Sequence, residues 1–140
     1  MLFESFDFLY VPALDIESSV QYYTQVLGGK LLWKIYAYGV WVAYIGLTKE
    51  KPYVLLADHI SKNDVMLIYQ VSKLEKAAAE LKLKGWKEEN RIEIPLGPCC
   101  TFRDPAGNAL VIYENQRPSV MQEFEGRIDN FKQNSINESD

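Results

Sequence analysis

Runs of apolar residues, separated by glycine, proline and polar residues, predict eight strands and three helices. In the first half, residues 6–11 (FDFLYV) are rich in aromatic and branched side chains, which is typical of a strand. Asp15 is a plausible N-cap for a helix that Gly28 ends. Three more extended runs follow, at residues 30–38, 40–47 and 52–57. The apolar residues of the helix recur at spacings of four, three and four: Ile16, Val20, Tyr23 and Leu27.

The second half repeats the order strand, helix, strand, strand, strand. Residues 65–71 (VMLIYQV) predict a strand, and Ser72 and Glu75 form an S-x-x-E capping box before a helix that Gly85 ends. The step from cap to glycine has the same length in both halves, which indicates an internal duplication of pattern. The buried face of this helix is predicted to hold Leu74, Ala78 and Leu81, and the remaining strands lie at residues 91–95, 99–103 and 109–113.

A hairpin is predicted between the last two strands. In the stretch FRDPAGN, Asp104 can accept hydrogen bonds within the turn, Pro105 presets φ, and Gly107 can adopt the left-handed conformation. Taken alone, this is an ordinary turn.

Residues 117–133 predict a C-terminal helix. Ser119 to Gln122 is a second capping-box pattern, and Gly126 inside the helix costs about 1 kcal/mol relative to alanine. The helix carries a narrow apolar stripe, so it should dock either on its own domain or on a partner chain. Residues 134–140 are expected to be disordered. The stripe consists of Met121, Phe124, Ile128 and Phe131.

Composition narrows the function classes. The 140 residues suffice for one domain with a sizeable core, and the formal net charge of −4 comes without a basic stripe, so a nucleic-acid partner is not expected. No apolar run approaches the length of a membrane span, and residues 1–10 have neither a basic stretch nor a long apolar run, so a secretory leader is not expected. Cys99 and Cys100 are neighbours and cannot join distant parts of the fold, which favours a reducing cytoplasm.

Four stretches of the chain carry a family resemblance: FDFLYVP, DIESSVQYY leading into VLG, VSKLE, and FRDPAGN. Together they resemble the vicinal oxygen chelate superfamily, which holds glyoxalase, ring-cleaving dioxygenases and bleomycin-resistance proteins. The resemblance implies an α+β fold in which two βαβββ modules form a curled mixed sheet around a shared cavity. It places a single domain at residues 1–116, with modules at 6–58 and 64–114, followed by the C-terminal helix. The last hairpin is most similar to the bleomycin-resistance branch.

The resemblance also implies where a metal would be held. Family enzymes hold a divalent ion with His, Gln or Glu at four strand positions that face the cavity. In this chain those positions are Phe6, Met66, Val111 and either Leu55 or Leu56, with Leu56 favoured. None of these side chains ligates a hard or borderline divalent ion. His59 is the only histidine and cannot make a site alone. The sequence therefore predicts no metal and no other cofactor.

Strand alternation predicts an apolar, aromatic cavity face. Such a cavity suits a flat organic ligand, although the same side chains could simply fill the middle of the sheet as core. The predicted ligand-binding residues are Phe6, Phe8, Tyr10, Leu56, Met66, Ile68, Gln70, Val111 and Tyr113. Some of the aromatic residues between positions 33 and 44 should line the rim of the cavity. The sequence does not decide which of them point inward, because both faces of those strands are apolar.

These observations favour a metal-free protein that binds a small molecule, aromatic or cationic, as antibiotic-sequestering proteins do. The resemblance implies a homodimer. One alternative is a lyase, isomerase or dioxygenase that uses a metal at an unrecognised site. Another is a structural module whose cavity is filled by its own aromatic residues. Cys99 or Cys100 could serve as a nucleophile, but small buried residues on a strand are the simpler interpretation.

Overall fold

The computed structural model describes residues 1–60 and 64–130, and it shows one curled mixed sheet with the first two helices on its outer face. A π-helical turn at Tyr22–Val26 continues the first helix. The strands are β1 (Phe3–Pro12), β2 (Lys30–Ala37), β3 (Val40–Gly46), β4 (Tyr53–Ala57), β5 (Met66–Val71), β6 (Asn90–Ile94), β7 (Gly97–Arg103) and β8 (Ala109–Glu114). The helices are α1 (Ile16–Gln21), α2 (Leu74–Lys82) and α3 (Val120–Phe124).

The sheet has eight strands in the order β2-β3-β4-β1-β5-β8-β7-β6. Each half of the chain contributes one βαβββ module, and each module holds one parallel pair, β1 with β4 and β5 with β8. The two modules are joined in the sheet through the antiparallel pair β1 and β5. The predicted fold class and its modular order are therefore confirmed.

Three apolar clusters form the core. The first packs α1 against β3 and β4 around Ile16, Val20 and Ile45. The second packs α2 against β7 and β8 around Leu74 and Ile112. The third lies on the inner, concave face of the sheet and contains Phe8, Ile68, Leu96, Cys99, Val111 and Tyr113. α1 and α2 therefore cover the outer face. The inner face, whose cluster α3 contacts through Val120 and Met121, is the one left for a cavity.

A β-bulge at Asp7 changes the alternation of β1. Phe6 pairs with Tyr69 and Phe8 pairs with Ile68, so two residues of β1 oppose one residue of β5. An extra residue reverses the alternation of side chains between the two faces of the sheet. Residues before and after Asp7 therefore follow opposite alternations. Phe6 stacks on Tyr69 with ring centroids 4.7 Å apart, on the face that α2 covers.

The predicted caps and turn have mixed outcomes. Asp15 caps α1, since its carboxylate accepts a hydrogen bond from the Ser18 amide at 3.5 Å. In the last hairpin, Oδ1 of Asp104 accepts from the Ala106 and Asn108 amides, and Gly107 has φ +88°. These two predictions are confirmed.

The capping box predicted for α2 is wrong. The helix begins at Leu74, and no side chain of its N-cap residue bonds to it. Instead, the carboxylate of Glu114, at the end of β8, accepts from the Leu74 amide at 2.8 Å. Glu75 pairs with Arg91 at 2.8 Å, so its carboxylate is engaged elsewhere. The cap comes from a distant strand, which a local sequence pattern cannot indicate.

The C-terminal helix is shorter than expected, because α3 ends at Phe124 and Gly126 has φ +77°. Ser119 makes no side-chain capping bond. After the glycine, Ile128 forms a parallel bridge with Lys34 at the edge of β2. Phe131 and residues 134–140 lie outside the described residues. No helix in the described part of the chain is long and apolar enough to span a membrane.

Candidate functional site

The inner face receives most of the residues predicted to line a cavity, but not all of them. Phe8, Tyr10 and Ile68 line an open pocket there. Met66, Val111 and Tyr113 lie on the same face within the inner cluster, and Gln70 contacts the Tyr113 hydroxyl at 3.3 Å.

Two predicted orientations are wrong. Phe6 faces α2, because the bulge at Asp7 reverses its phase. Leu56 is fully buried with the residues that pack beneath α1, whereas Leu55 lines the pocket. The register explains the second error: Leu55 pairs with Tyr10, which faces inward, and Leu56 pairs with Val11, which packs toward α1.

Two connected spaces occupy the mouth of the curled sheet. The inner pocket has a volume of about 50 Å³, and its lining includes Phe8, Trp33, Leu55, Ile68, Leu96 and Met121. The outer groove has a volume of about 600 Å³, and its lining includes Tyr38, Val40, His59, Glu93, Arg117 and Val120. The walls common to both are Tyr10, Ile35, Val42, Ile94, Pro95 and Phe124. The groove is within the size range of small-molecule sites.

Aromatic side chains form one wall of the inner pocket. Trp33 is 4% exposed and stacks on Tyr44, with ring centroids 5.2 Å apart and an interplanar angle of 27°. Phe124 meets Trp33 edge-on at 5.1 Å. Phe8 meets Tyr44 at 5.8 Å. The ring of Trp33 is thus fixed between neighbours from β3 and α3.

The rim of the groove carries the polar groups. The Tyr10 hydroxyl lies 3.4 Å from Nε2 of the exposed His59. Burial raises the pKa of Tyr10 to about 12, with smaller contributions from Cys99 and Asp58, so its hydroxyl is neutral at physiological pH. On the opposite side, Nη2 of Arg117 lies 2.6 Å from the Glu93 carboxylate. Arg117 also donates from Nε to the Pro95 carbonyl at 2.7 Å.

A buried polar cluster lies on the inner face around Asp7. This residue is fully buried, and its carboxylate accepts a hydrogen bond from the Tyr113 hydroxyl. The other carboxylate oxygen is 3.1 Å from Nζ of Lys51, whose side chain is 57% exposed. Burial, reinforced by Asp7, raises the pKa of Tyr113, so this hydroxyl stays a donor. No residue of this cluster lines the pocket or the groove.

The inner face does not fit a metal centre of the family type. Most side chains that face inward on the four central strands are apolar or aromatic: Phe8 and Tyr10 of β1, Leu55 of β4, Met66 and Ile68 of β5, and Val111 of β8. The polar ones, Asp7, Gln70 and Tyr113, are engaged in one cluster around the Tyr113 hydroxyl. Divalent ions of catalytic sites need carboxylate, imidazole or amide donors. Within residues 1–60 and 64–130, no three His, Cys, Asp or Glu side chains lie close enough to hold an ion. No reaction step through a metal is derived from this face.

Several site residues were not found from the sequence. Ile35, Val42, Leu96 and Phe124 line the pocket, but nothing in their local pattern separates them from ordinary core. Asp7 gave the clearest missed signal, because it is a charged residue inside the apolar run FDFLYV. A buried charge needs hydrogen-bond or ionic partners, which the buried Tyr113 and the half-exposed Lys51 supply.

Comparison with known proteins agrees with this architecture. The sequence pattern of the Glyoxalase/Bleomycin resistance protein/Dioxygenase superfamily matches residues 5–112. The chain belongs to this superfamily. No curated protein sequence matches the chain significantly.

Solved structures with the same fold include the methylmalonyl-CoA epimerase from Mycobacterium tuberculosis. It has a TM-score of 0.69 and 15% sequence identity, with 84% of this chain and 91% of that chain covered. A hypothetical protein from Bacillus halodurans C-125 has a TM-score of 0.68 and 16% identity, covering 81% of this chain and 95% of its own. At these identities the likeness shows the fold alone.

Proposed function

We propose that this chain is a small-molecule-binding member of the superfamily that takes an aromatic, largely apolar ligand into the outer groove and inner pocket. The observation that carries the proposal is the inner face itself. It presents Phe8, Trp33 and Leu55 around an open space, where a metal-dependent site would present ligating side chains. Aromatic walls of this kind bind flat molecules by stacking and by burial of apolar area.

The mechanism is stoichiometric binding, with no bond broken. The polar rim at Tyr10, His59, Glu93 and Arg117 orients the exposed end of the ligand, and the apolar walls hold the rest. The antibiotic-sequestering role and the homodimer belong to this proposal and rest on the resemblance to the bleomycin-resistance branch. A native mass of twice 16.1 kDa would support the dimer, and a mass of 16.1 kDa at micromolar concentration would refute it.

The groove is tested with 1-anilinonaphthalene-8-sulfonate, an aromatic probe whose fluorescence rises in apolar sites. Val42→Tyr places a larger side chain in the wall common to both spaces, whereas Leu83→Tyr changes a side chain that is 89% exposed beside α2. We expect the first variant to lose at least about tenfold in affinity, the equivalent of about 1.4 kcal/mol, and the second to bind like the wild type. Equal binding by both variants would place the probe elsewhere and contradict the proposal.

Metal content gives a second test of the same proposal. The protein is incubated with Mn²⁺, Co²⁺, Ni²⁺ or Zn²⁺, separated from free ions by gel filtration, and analysed for bound metal. We expect retention well below one ion per chain, since the inner face offers no set of hard or borderline ligands. One ion retained per chain, lost in a Met66 or Gln70 variant, would favour an enzyme instead.

A further inference from the structure

The two edges of the eight-stranded sheet differ in how they are covered. β2 is one edge, and the chain after α3 lies along it: the Lys34 amide donates to the Arg127 carbonyl at 2.9 Å, and the Asp129 amide donates to the Lys34 carbonyl at 2.8 Å. β6 is the other edge. Among the described residues, no segment besides β7 forms a backbone hydrogen-bond ladder with it. An uncovered edge offers N–H and C=O groups to a further strand.

The pairing of β6 with β7 identifies the backbone groups on the uncovered edge. Ile94 and Gly97 close a two-residue turn, so they form a hydrogen-bonded pair. Hydrogen-bonded pairs recur at every second residue of an antiparallel strand, and Ile92 is the next one. The backbone groups of Arg91 and Glu93 therefore point away from β7. Each of these two residues presents one N–H donor and one C=O acceptor at the edge.

The side chains of β6 make this edge complementary to itself. Ile92 is 44% exposed, and it lies toward the inner face because it pairs with Cys99 of the inner cluster. Arg91 and Glu93 lie on the opposite side of the strand, since residues one position apart alternate. Charges on an edge usually protect it from pairing. Here the two charges are opposite in sign and stand symmetrically about an exposed aliphatic residue.

We propose that β6 pairs antiparallel with β6 of a second copy of this chain, in the register centred on Ile92. Two-fold pairing through the exposed backbone groups allows three registers, centred on Arg91, Ile92 or Glu93. The first sets two arginines opposite each other and the last sets two glutamates opposite each other, which is unfavourable. The register centred on Ile92 sets Arg91 of each copy opposite Glu93 of the other. It also brings the two Ile92 side chains together.

The inference specifies the interface of the homodimer that belongs to the proposed function, and it is independent of the ligand. It would join the sheets of the two copies edge to edge. Because Ile92 of each copy faces Ile92 of the other, both inner faces would lie on the same side of the joined sheet.

The ion pairs within the chain are compatible with this interface. Arg91 pairs with Glu75 at 2.8 Å and with Glu88 at 3.1 Å, and a guanidinium has five N–H donors. Among the described residues, Glu93 pairs only with Arg117, through one of its two carboxylate oxygens. These contacts hold both side chains in place beside the strand, so that less side-chain freedom is lost when a second copy binds.

The first test reverses the two charges one at a time. Arg91→Glu and Glu93→Arg each set like charges opposite one another in the proposed register. By sedimentation velocity of the full chain, we expect each variant to self-associate at least about tenfold more weakly than the wild type. An equimolar mixture of the two variants should recover the association, because every facing pair then has opposite charges. Glu80→Arg, an exposed position on α2, is the control and should associate like the wild type.

A second test uses a new disulfide. Facing residues that are not hydrogen-bonded have Cα atoms about 4.5 Å apart, which is within the range of a disulfide. With oxidised glutathione, Ile92→Cys should therefore form a covalent dimer. Ile128→Cys, which is 53% exposed beside the covered edge, should remain largely uncrosslinked. The native Cys99 and Cys100 are buried and should not interfere.

The outcomes separate this interface from the rest of the proposed function. If both charge variants dimerise like the wild type and Ile92→Cys crosslinks no better than Ile128→Cys, edge pairing is wrong and the dimer uses another surface. If both variants dissociate but their mixture does not associate, the pairing of Arg91 with Glu93 is wrong. A wild-type mass of 16.1 kDa at micromolar concentration would overturn both the dimer and its interface, and it would leave ligand binding in the groove unaffected.

Discussion

The carboxylate of Asp7 is fully buried on the inner face and depends on two partners of different kinds. The Tyr113 hydroxyl bonds to it from within the core, and Lys51 reaches it from the solvent side. A buried carboxylate without hydrogen bonds is costly, so the Tyr113 hydroxyl carries more of the stabilisation than the half-exposed ammonium.

Tyr113→Phe should therefore lower the free energy of unfolding by about 1–3 kcal/mol, because it leaves a buried carboxylate oxygen unsatisfied. Tyr53→Phe is the matched control: its hydroxyl donates to the Lys49 carbonyl in an exposed setting, where water can replace it. Urea denaturation of both variants measures the difference. Equal stability of the two variants would mean that the Tyr113 bond contributes nothing.

Burial also governs the two cysteines. It raises the pKa of Cys99 to about 12 and the pKa of Cys100 to about 11. Because unfolded thiols ionise near pH 9, the unfolded state releases protons first, and stability should fall as the pH rises above about 9.

At pH 8 both thiols should resist iodoacetamide in the native protein and react fully in urea. Cys100→Ala should flatten the loss of stability between pH 9 and 10.5, measured by urea midpoints. A thiol that reacts within minutes at pH 8 in the native protein would contradict the buried, protonated state. It would instead support a role for that cysteine as a nucleophile.

At the residue scale, the sequence predicted correctly which strands form the site. It was less successful in predicting which side chains of those strands point to the inner face. Alternation placed Phe8, Tyr10 and Ile68 correctly, because no irregularity separates them from their pairing partners. It failed at Phe6 because one extra residue at Asp7 reverses the phase, and bulges have no reliable local signature. It failed at Leu56 because both neighbouring leucines are apolar, so only the pairing with Tyr10 distinguishes Leu55.

The N-terminus of α2 depends on a residue outside the helix. Glu114, on β8, accepts the Leu74 amide, and this bond is the main reason that the pKa of Glu114 lies below its usual range. Since the folded state favours the charged carboxylate, its contribution is present above about pH 4.5 and is lost as the pH falls further.

Glu114→Ala should reduce the free energy of unfolding at pH 7 by about 1 kcal/mol, as expected for a lost cap. The difference from wild type should shrink below pH 4. Ser72→Ala, which removes the hydroxyl of the predicted capping box, should change stability by less than about 0.5 kcal/mol. The stabilities are compared by thermal or urea unfolding. A larger loss of stability in Ser72→Ala than in Glu114→Ala would mean that Ser72, as first predicted, caps α2.

At the element scale, all eight strands were predicted with ends within three residues of the observed ones, whereas the C-terminal helix was predicted too long. Met121, Phe124 and Ile128 fit a helical stripe, yet only the first two lie before the glycine that ends the helix. The spacing of Ile128 is equally satisfied by an extended segment, and contact with β2 decides between them. Long-range contacts of this kind are not encoded in local periodicity.

On the scale of the whole molecule, residues 116–129, the C-terminal segment, connect the two modules. At one end, the Gln116 and Arg117 amides donate to the Leu96 carbonyl of module two. At the other end, the Gly126 amide donates to the Leu32 carbonyl, and the Asp129 amide donates to the Lys34 carbonyl, both in module one. Phe124 lies between these anchors, against Trp33.

Phe124→Ala should loosen this connection without unfolding the sheet. We expect the amides of Lys34 and Asp129 to exchange hydrogen at least about tenfold faster, because their bonds join the segment to β2. The hydrogen-exchange rates of the backbone amides that join β7 to β8 should not change. Gln122→Ala, an exposed position on the same helix, is the control. Equal acceleration across the sheet would indicate global destabilisation instead.

The two attachment points of the C-terminal segment, one in each module, also determine the order in which parts of the chain can fold. Each module can close its own parallel strand pair from residues 45 positions apart in the first module and 43 in the second. The segment, in contrast, needs surfaces from both modules before it can dock. We therefore expect the segment to dock late and the pocket wall at Phe124 to be completed in the same step. The kinetic phase that acquires ligand affinity should then lag behind the phase that forms the sheet.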